Sequence, residues 1–132
     1  MSESLRSVSV ITLFVADPQR SKEFYERAFG VPTVFEDANS AIVKFDNLMV
    51  NLLEQSHAPE LIVPAPVETR GSRFMPTIFV ADVDAVCSGL AGRGVELLNG
   101  PLDRPWGMRT AAFADPDGHV WEVAQELARS AA

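Results

Sequence analysis

The chain offers few side chains that could do chemistry. It has two histidines, His57 and His119, and one cysteine, Cys87, in 132 residues. His119 and Glu122 stand close together in "DPDGHVWEVAQ", and Arg109 lies just upstream in "PWGMRTAAFA". A histidine and a carboxylate can share acid–base work or hold a metal. The alternating "HVWEVAQ" reads as a strand, however, and residues three apart in a strand point to opposite faces. The chain has no Ser-His-Asp or Cys-His arrangement, no phosphate-binding glycine loop and no carboxylate pair suited to one substrate. A single cysteine excludes an internal disulfide, and no Cys/His cluster has zinc spacing.

Arg109 and Glu122 belong to one predicted hairpin. If Asp115–Gly118 form a four-residue loop, Ala114 pairs with His119 and Ala111 lies opposite Glu122. Arg109 then shares Glu122's face, diagonal to it at about 7–8 Å, within reach of an arginine side chain. The expectation is an Arg109–Glu122 ion pair; one bulge in either strand would reverse it. Trp106 precedes this hairpin between Pro105 and Gly107, on a shaped turn. It can cap the core or stack on a flat ligand, and the sequence leaves both open. Trp121 alternates with Glu122 and is expected to face a helix.

The elements that must position these groups are written twice. "TLFVAD" at residues 12–17 returns as "TIFVAD" at residues 77–82. After the first copy, Asp17 can cap a helix, Pro18 fits its first position, and Gly30 can end it. Phe24, Tyr25, Ala28 and Phe29 lie at helical spacing between them. After the second copy, Asp82 can cap again. Val83, Val86, Cys87 and Leu90 make one apolar stripe, ended by Gly92 and Gly94, so Cys87 is read as core. Three short strands follow each helix: "PTVFE", "AIVKFD" and "LMVNLLE", then "VELL", "MRTAAFA" and "HVWEVAQ". The fold class is therefore α+β, two βαβββ modules. The chain is long enough for one domain, with module 1 at about 7–55, a Pro-rich surface linker at about 56–73 and module 2 at about 74–127. Neither half can bury its own helix and sheet well, so the two are expected to share a core.

A net charge of −7 argues against nucleic acid and permits a cationic ligand. No run reaches transmembrane length. The apolar stretch at 7–16 lacks a cleavage site and has its near-copy mid-chain, so it reads as a strand and not as a signal peptide. No membrane partner and a cytoplasmic location are the expectation.

The doubled module, with "DPQRSKEFYERAFG" early and "ADPDGHVWEVAQ" late, resembles the vicinal oxygen chelate superfamily. That group includes glyoxalase I, bleomycin-resistance proteins, fosfomycin-resistance enzymes and extradiol dioxygenases. The resemblance covers about residues 7–127, and implies sheets curled around a cleft and a homodimer. Enzymes of this group usually hold a divalent metal through one residue on the first and one on the last strand of each module. Carried onto this chain, those positions fall on Val10, Asn51, Met75 and Glu122. One carboxylate, one amide and two apolar side chains do not make a catalytic metal site, so no metal and no cofactor are expected.

The face these positions share is read from strand alternation. Its candidate ligand-binding residues are Thr12, Phe14, Met49, Asn51, Met75, Thr77, Phe79, Arg109 and Glu122, with Trp106 from the loop. Val10, Ile42, Lys44 and Leu53 complete the lining. The lining is largely apolar and adaptable, which suits an organic molecule. The resulting reading is a metal-independent protein of the bleomycin-resistance type that sequesters an amphipathic or planar small molecule. Its alternative is a glyoxalase-like lyase, isomerase or oxygenase with an altered metal or acid–base site, in which Glu122 is catalytic. A third is a vestigial cleft on an interaction module. For Glu122 itself, the sequence leaves open an inherited, hydrogen-bonded polar residue and a direct ligand contact.

Overall fold

The computed structural model describes residues 4–128, which divide into two compact units on either side of Thr69 and Arg70. Each unit is a βαβββ module, as the repeated phrase predicts. In the first, β1 (Val10–Val15) leads to α1 (Pro18–Phe29), then β2 (Thr33–Glu36), β3 (Ser40–Lys44) and β4 (Met49–Glu54). The sheet order is β1-β4-β3-β2, with β1 parallel to β4 and the other pairs antiparallel.

The helix begins where Asp17 turns extended and its carboxylate accepts from the N–H groups of Gln19 and Arg20, satisfying two otherwise orphaned donors. It ends at Gly30, whose φ of 69° is a left-handed conformation that glycine adopts without a Cβ clash. Phe24, Tyr25 and Ala28 are buried on the sheet side of α1, where Leu13, Val15, Ala41, Val43, Val50 and Leu52 are buried too. Each large side chain so buried contributes roughly 1.5–3 kcal/mol. The opposite face of the sheet is left to Thr12, Asn51 and Ile42, which stand side by side across three strands.

The stretch predicted as a linker is partly helical. A 3-10 turn at Gln55–His57 and the short α2 (Pro59–Ile62) follow β4 directly. The second unit then runs β5 (Thr77–Phe79), α3 (Val83–Gly92), β6 (Leu97–Asp103), β7 (Met108–Ala114) and β8 (Val120–Glu126), in the order β5-β8-β7-β6. Asp82 caps α3 by accepting from Ala85 N–H, and Gln125 on β8 accepts from Val83 N–H. Val83, Cys87 and Leu90 are buried on the side where α3 meets Phe113, Trp121 and Val123 of the sheet. Cys87 and Trp121 are thus core residues as expected, and burial pushes the Cys87 thiol upward in pKa.

Two departures from expectation matter for the site. Strand β6 starts at Leu97 and not at Val95, because Val95 is buried and its N–H closes the end of α3 on Leu90 O. The β7–β8 register also differs by one residue. Ala114 pairs with Val120, Ala112 with Glu122 and Arg109 with Gln125. The cause lies in the turn. Asp115 is buried, and its Oδ1 accepts from the N–H groups of both Asp117 and His119. Its Oδ2 meets His119 Nδ1 at 2.7 Å. His119 is thereby drawn into a five-residue loop, closed by Asp115 N–H donating to His119 O.

Candidate functional site

The register assembles a row with polar side chains on the open face of each sheet. In the first unit Thr12 stands opposite Asn51, with Ile42 beyond it, and the next rows are Val10–Met49–Lys44 and Phe14–Leu53–Ser40. Thr12, Phe14, Met49 and Asn51 therefore share one face, as the alternation predicts. The Asn51 amide oxygen is buried and has no hydrogen-bond partner among the described residues.

In the second unit Thr77 stands opposite Glu122, which stands opposite Ala112 and then Asn99. Thr77 Oγ1 donates to Glu122 Oε1 at 3.0 Å. Phe79 and Ala124 form the next row, and Phe79 is 80 % exposed. Met75, two residues before Thr77, precedes β5 and is also exposed.

Arg109 is the correction. The shifted register turns it to the α3 side of the sheet, away from Glu122. There its guanidinium binds Asp84 at 2.9 Å and Asp103 at 2.8 Å. The hydrogen bonds to Asp103 and Asp84 raise its pKa further, so its charge is fixed and committed. The expected Arg109–Glu122 pair does not form, and Arg109 leaves the list of residues on the open face.

Its place is taken by Arg104, which sequence reading missed. The backbone turns at Arg104–Gly107, where Gly107 N–H donates to Arg104 O, and Arg104 N–H donates to Met108 O. This directs the Arg104 side chain back along the strands. Its Nε donates to Thr110 Oγ1 at 2.9 Å and its Nη2 to Asn99 Oδ1 at 3.2 Å. Thr110 and Asn99 both lie on Glu122's face, so the guanidinium does too. Trp106 is 68 % exposed, which removes the core-cap alternative, and its ring lies 5.9 Å from the Arg104 guanidinium carbon. The signal available in the sequence was a pair of polar residues, Asn99 and Thr110, inside otherwise apolar strands.

Gly100 makes this arrangement close-packed. At φ 89° it brings the β6 backbone onto β7, where an added Cβ would lie 2.4 Å from Thr110 O. The irregular pairing between Asn99 and Leu102 is the bulge that this approach produces.

The comparisons agree with this architecture. Residues 7–123 match the family model of the Glyoxalase/Bleomycin resistance protein/Dioxygenase superfamily. The chain belongs to this superfamily. It is 32 % identical over 123 residues to the uncharacterized protein YraH of Bacillus subtilis, covering 89 % of this chain and 96 % of that one. It resembles the crystal structure of a glyoxalase/bleomycin resistance protein/dioxygenase from Nocardioides. There the TM-score is 0.83 and the identity 25 %, over 98 % of this chain and 89 % of that one. A glyoxalase-related enzyme from Fulvimarina pelagi gives a TM-score of 0.79 at 28 % identity, over 92 % and 89 % of the two chains.

Glyoxalase-superfamily enzymes usually hold a metal, so the donor set can be tested against one. Glu122 is joined by the Thr77 hydroxyl, Asn51 stands among Thr12 and Ile42, and Val10 and Met75 supply no hard donor. Among the described residues no group of three His, Cys, Asp or Glu side chains could hold a metal ion. The residues present do not fit the divalent metal of this superfamily.

Proposed function

We propose that this superfamily member binds a small organic molecule and holds it without a metal and without breaking bonds. The observation that carries the reading is the surroundings of Glu122. At the four strand positions where the superfamily's enzymes place ligands it is the lone ionisable side chain, and its partner is a threonine hydroxyl. In the same unit Phe79, Met75 and Trp106 expose large apolar surfaces, which favour burial of a planar or amphipathic ligand. Thr77 and Glu122 would orient the ligand's polar group. On the first unit, Thr12, Phe14, Met49 and Asn51 would line a separate binding face. Sequestration follows from affinity alone: apolar burial supplies most of the binding free energy and the polar groups set the pose. A homodimer and a cytoplasmic location belong to this reading, the first by analogy with the superfamily.

One observation favours an enzyme instead. Thr77 occupies one Glu122 oxygen, and the other has no partner among the described residues, so it could take a proton from a bound substrate. The two readings separate in one experiment. The protein is stripped with a chelator and its melting temperature is followed with Ni, Co, Zn, Mn and Fe(II), then with planar organic compounds. A metal at 100 times its dissociation constant adds about 2.7 kcal/mol, several degrees for a domain of this size. The expected result is a shift with organic compounds alone. A metal shift lost in Glu122→Ala, or turnover lost in Glu122→Gln, would replace binding by catalysis.

A further inference from the structure

The second unit's open face carries a guanidinium that no carboxylate among the described residues claims. Acidic residues outnumber basic ones 18 to 11, and Arg109 takes two of them. Arg104, by contrast, is held by two neutral acceptors, the Thr110 hydroxyl and the Asn99 amide oxygen. These bonds occupy Nε and Nη2. Nη1 has no partner among the described residues. Thr110 is 2 % exposed, so the hydroxyl that orients the guanidinium is itself fixed. A cation locked in place by neutral groups keeps its full charge for a further partner. An arginine so oriented can take a planar carboxylate end-on, through Nη1 and the remaining Nη2 hydrogen.

At the other side of the same face stands Glu122. Its carboxylate leans toward β5 through Thr77, while Arg104 leans toward β6 through Asn99. The two charged groups form no ion pair with each other, and the positions between them are the small residues Ala112 and Ala124. Neighbouring strands lie about 4.8 Å apart, so Glu122 on β8 and Asn99 on β6, two strands away, are about 10 Å apart across the face. Trp106 beside Arg104 and Phe79 beside Ala124 add exposed ring faces.

Resting on the binding reading above, the geometry points to a ligand class: a planar aromatic carboxylate that carries a hydroxyl or amine donor at its far end. Arg104 binds the carboxylate, Glu122 accepts from the donor, and Trp106 stacks on the ring. An acidic protein repels anions at long range, so Arg104 is the group that makes an anionic ligand acceptable. A purely cationic aromatic would satisfy Glu122 and be opposed by Arg104.

The test is calorimetric titration of the full chain with 6-hydroxy-2-naphthoate, 2-naphthoate and 6-hydroxy-2-naphthamide. The hydroxy acid should bind tightest. Arg104→Gln should weaken it at least tenfold and leave the amide within twofold. Arg104→Lys, which keeps the charge but not the fork, should recover part of the loss. Glu122→Gln should weaken the hydroxy acid severalfold and leave 2-naphthoate unchanged or tighter. Melting temperatures check that each variant is folded. Should the amide bind as well as the acid, or Arg104→Gln bind the acid as wild type does, the ligand class is wrong while small-molecule binding stands. No binding of any probe overturns the ligand class as well, and a metal-dependent rise in melting temperature in that same preparation overturns the binding reading with it.

Discussion

The two sheets share a topology and even a threonine, yet their open faces differ in chemistry. Thr12 and Thr77 occupy the same place on β1 and β5. Opposite the first stands Asn51, whose amide oxygen is buried without a partner among the described residues; opposite the second stands Glu122, which accepts a hydrogen bond from the threonine. The second face also carries Arg104 and exposed Trp106 and Phe79. A repeated backbone thus fixes where a polar group sits, and the side chain at one register position decides whether it is charged, bonded or orphaned. The proposed site therefore rests on the second unit more than on the first.

Backbone glycines give the largest expected contrast. Gly100→Ala forces a Cβ to 2.4 Å from Thr110 O at a φ of 89°, combining overpacking with backbone strain. Each is worth about 1–3 kcal/mol, so a loss of about 3 kcal/mol is expected in urea unfolding. Gly30→Ala in the first unit meets nothing within 4 Å and keeps only the left-handed penalty, about 1 kcal/mol. Equal losses at the two sites would mean that β6 does not press on β7 as described, and Arg104 would lose the frame that holds Asn99 near it.

The unpaired Asn51 oxygen should make its position improvable. A buried acceptor without a partner costs about 1–3 kcal/mol, so Asn51→Leu is expected to raise stability by about 1 kcal/mol. The paired thermal test is Thr77→Val against Thr12→Val. Removing the donor to Glu122 should lower stability by about 1 kcal/mol, whereas the Thr12 hydroxyl makes no side-chain hydrogen bond among the described residues and its loss should stay within about 0.5 kcal/mol. A stability loss in Asn51→Leu would show that its oxygen has a partner after all.

Much of this fold is legible in the sequence, for local reasons. Asp17, Pro18 and Gly30 bound α1 through caps that depend on a few neighbouring residues, and Asp82 repeats the device. Strand alternation correctly put Thr12 with Asn51 and Thr77 with Glu122, since a period of two survives any error in strand ends. The β7–β8 register was not legible. It depends on whether the Asp115 carboxylate reaches one backbone N–H or two, and taking His119 into the loop moves every pair by one residue. Arg109 and Arg104 exchanged roles for that reason. Arg104 also required knowing that β6 bulges at Gly100, which brings Asn99 level with Ala112.

The smallest effect tests that loop. His119 sits beside the buried Asp115 carboxylate, and the hydrogen bond between them raises the His119 pKa above its ordinary value of 6.5, against the opposing pull of burial. A raised folded-state pKa means that the folded protein holds the proton more tightly than the unfolded chain does. The resulting stabilisation is complete below the unfolded value, near 6.5, and is lost as pH rises through the higher folded value. Urea unfolding between pH 5.5 and 8.5 should therefore show a stability that declines over this window. His119→Gln should flatten that part of the curve while leaving the high-pH end within a few tenths of a kcal/mol, because Asp115 still accepts from the backbone N–H groups of residues 117 and 119. If the variant instead loses stability equally at every pH, the imidazole's contribution to the loop is packing and not charge. The register would then rest on the backbone bonds to Asp115 alone, and with it the placement that sends Arg109 to α3 and leaves Glu122 on the face that carries Arg104.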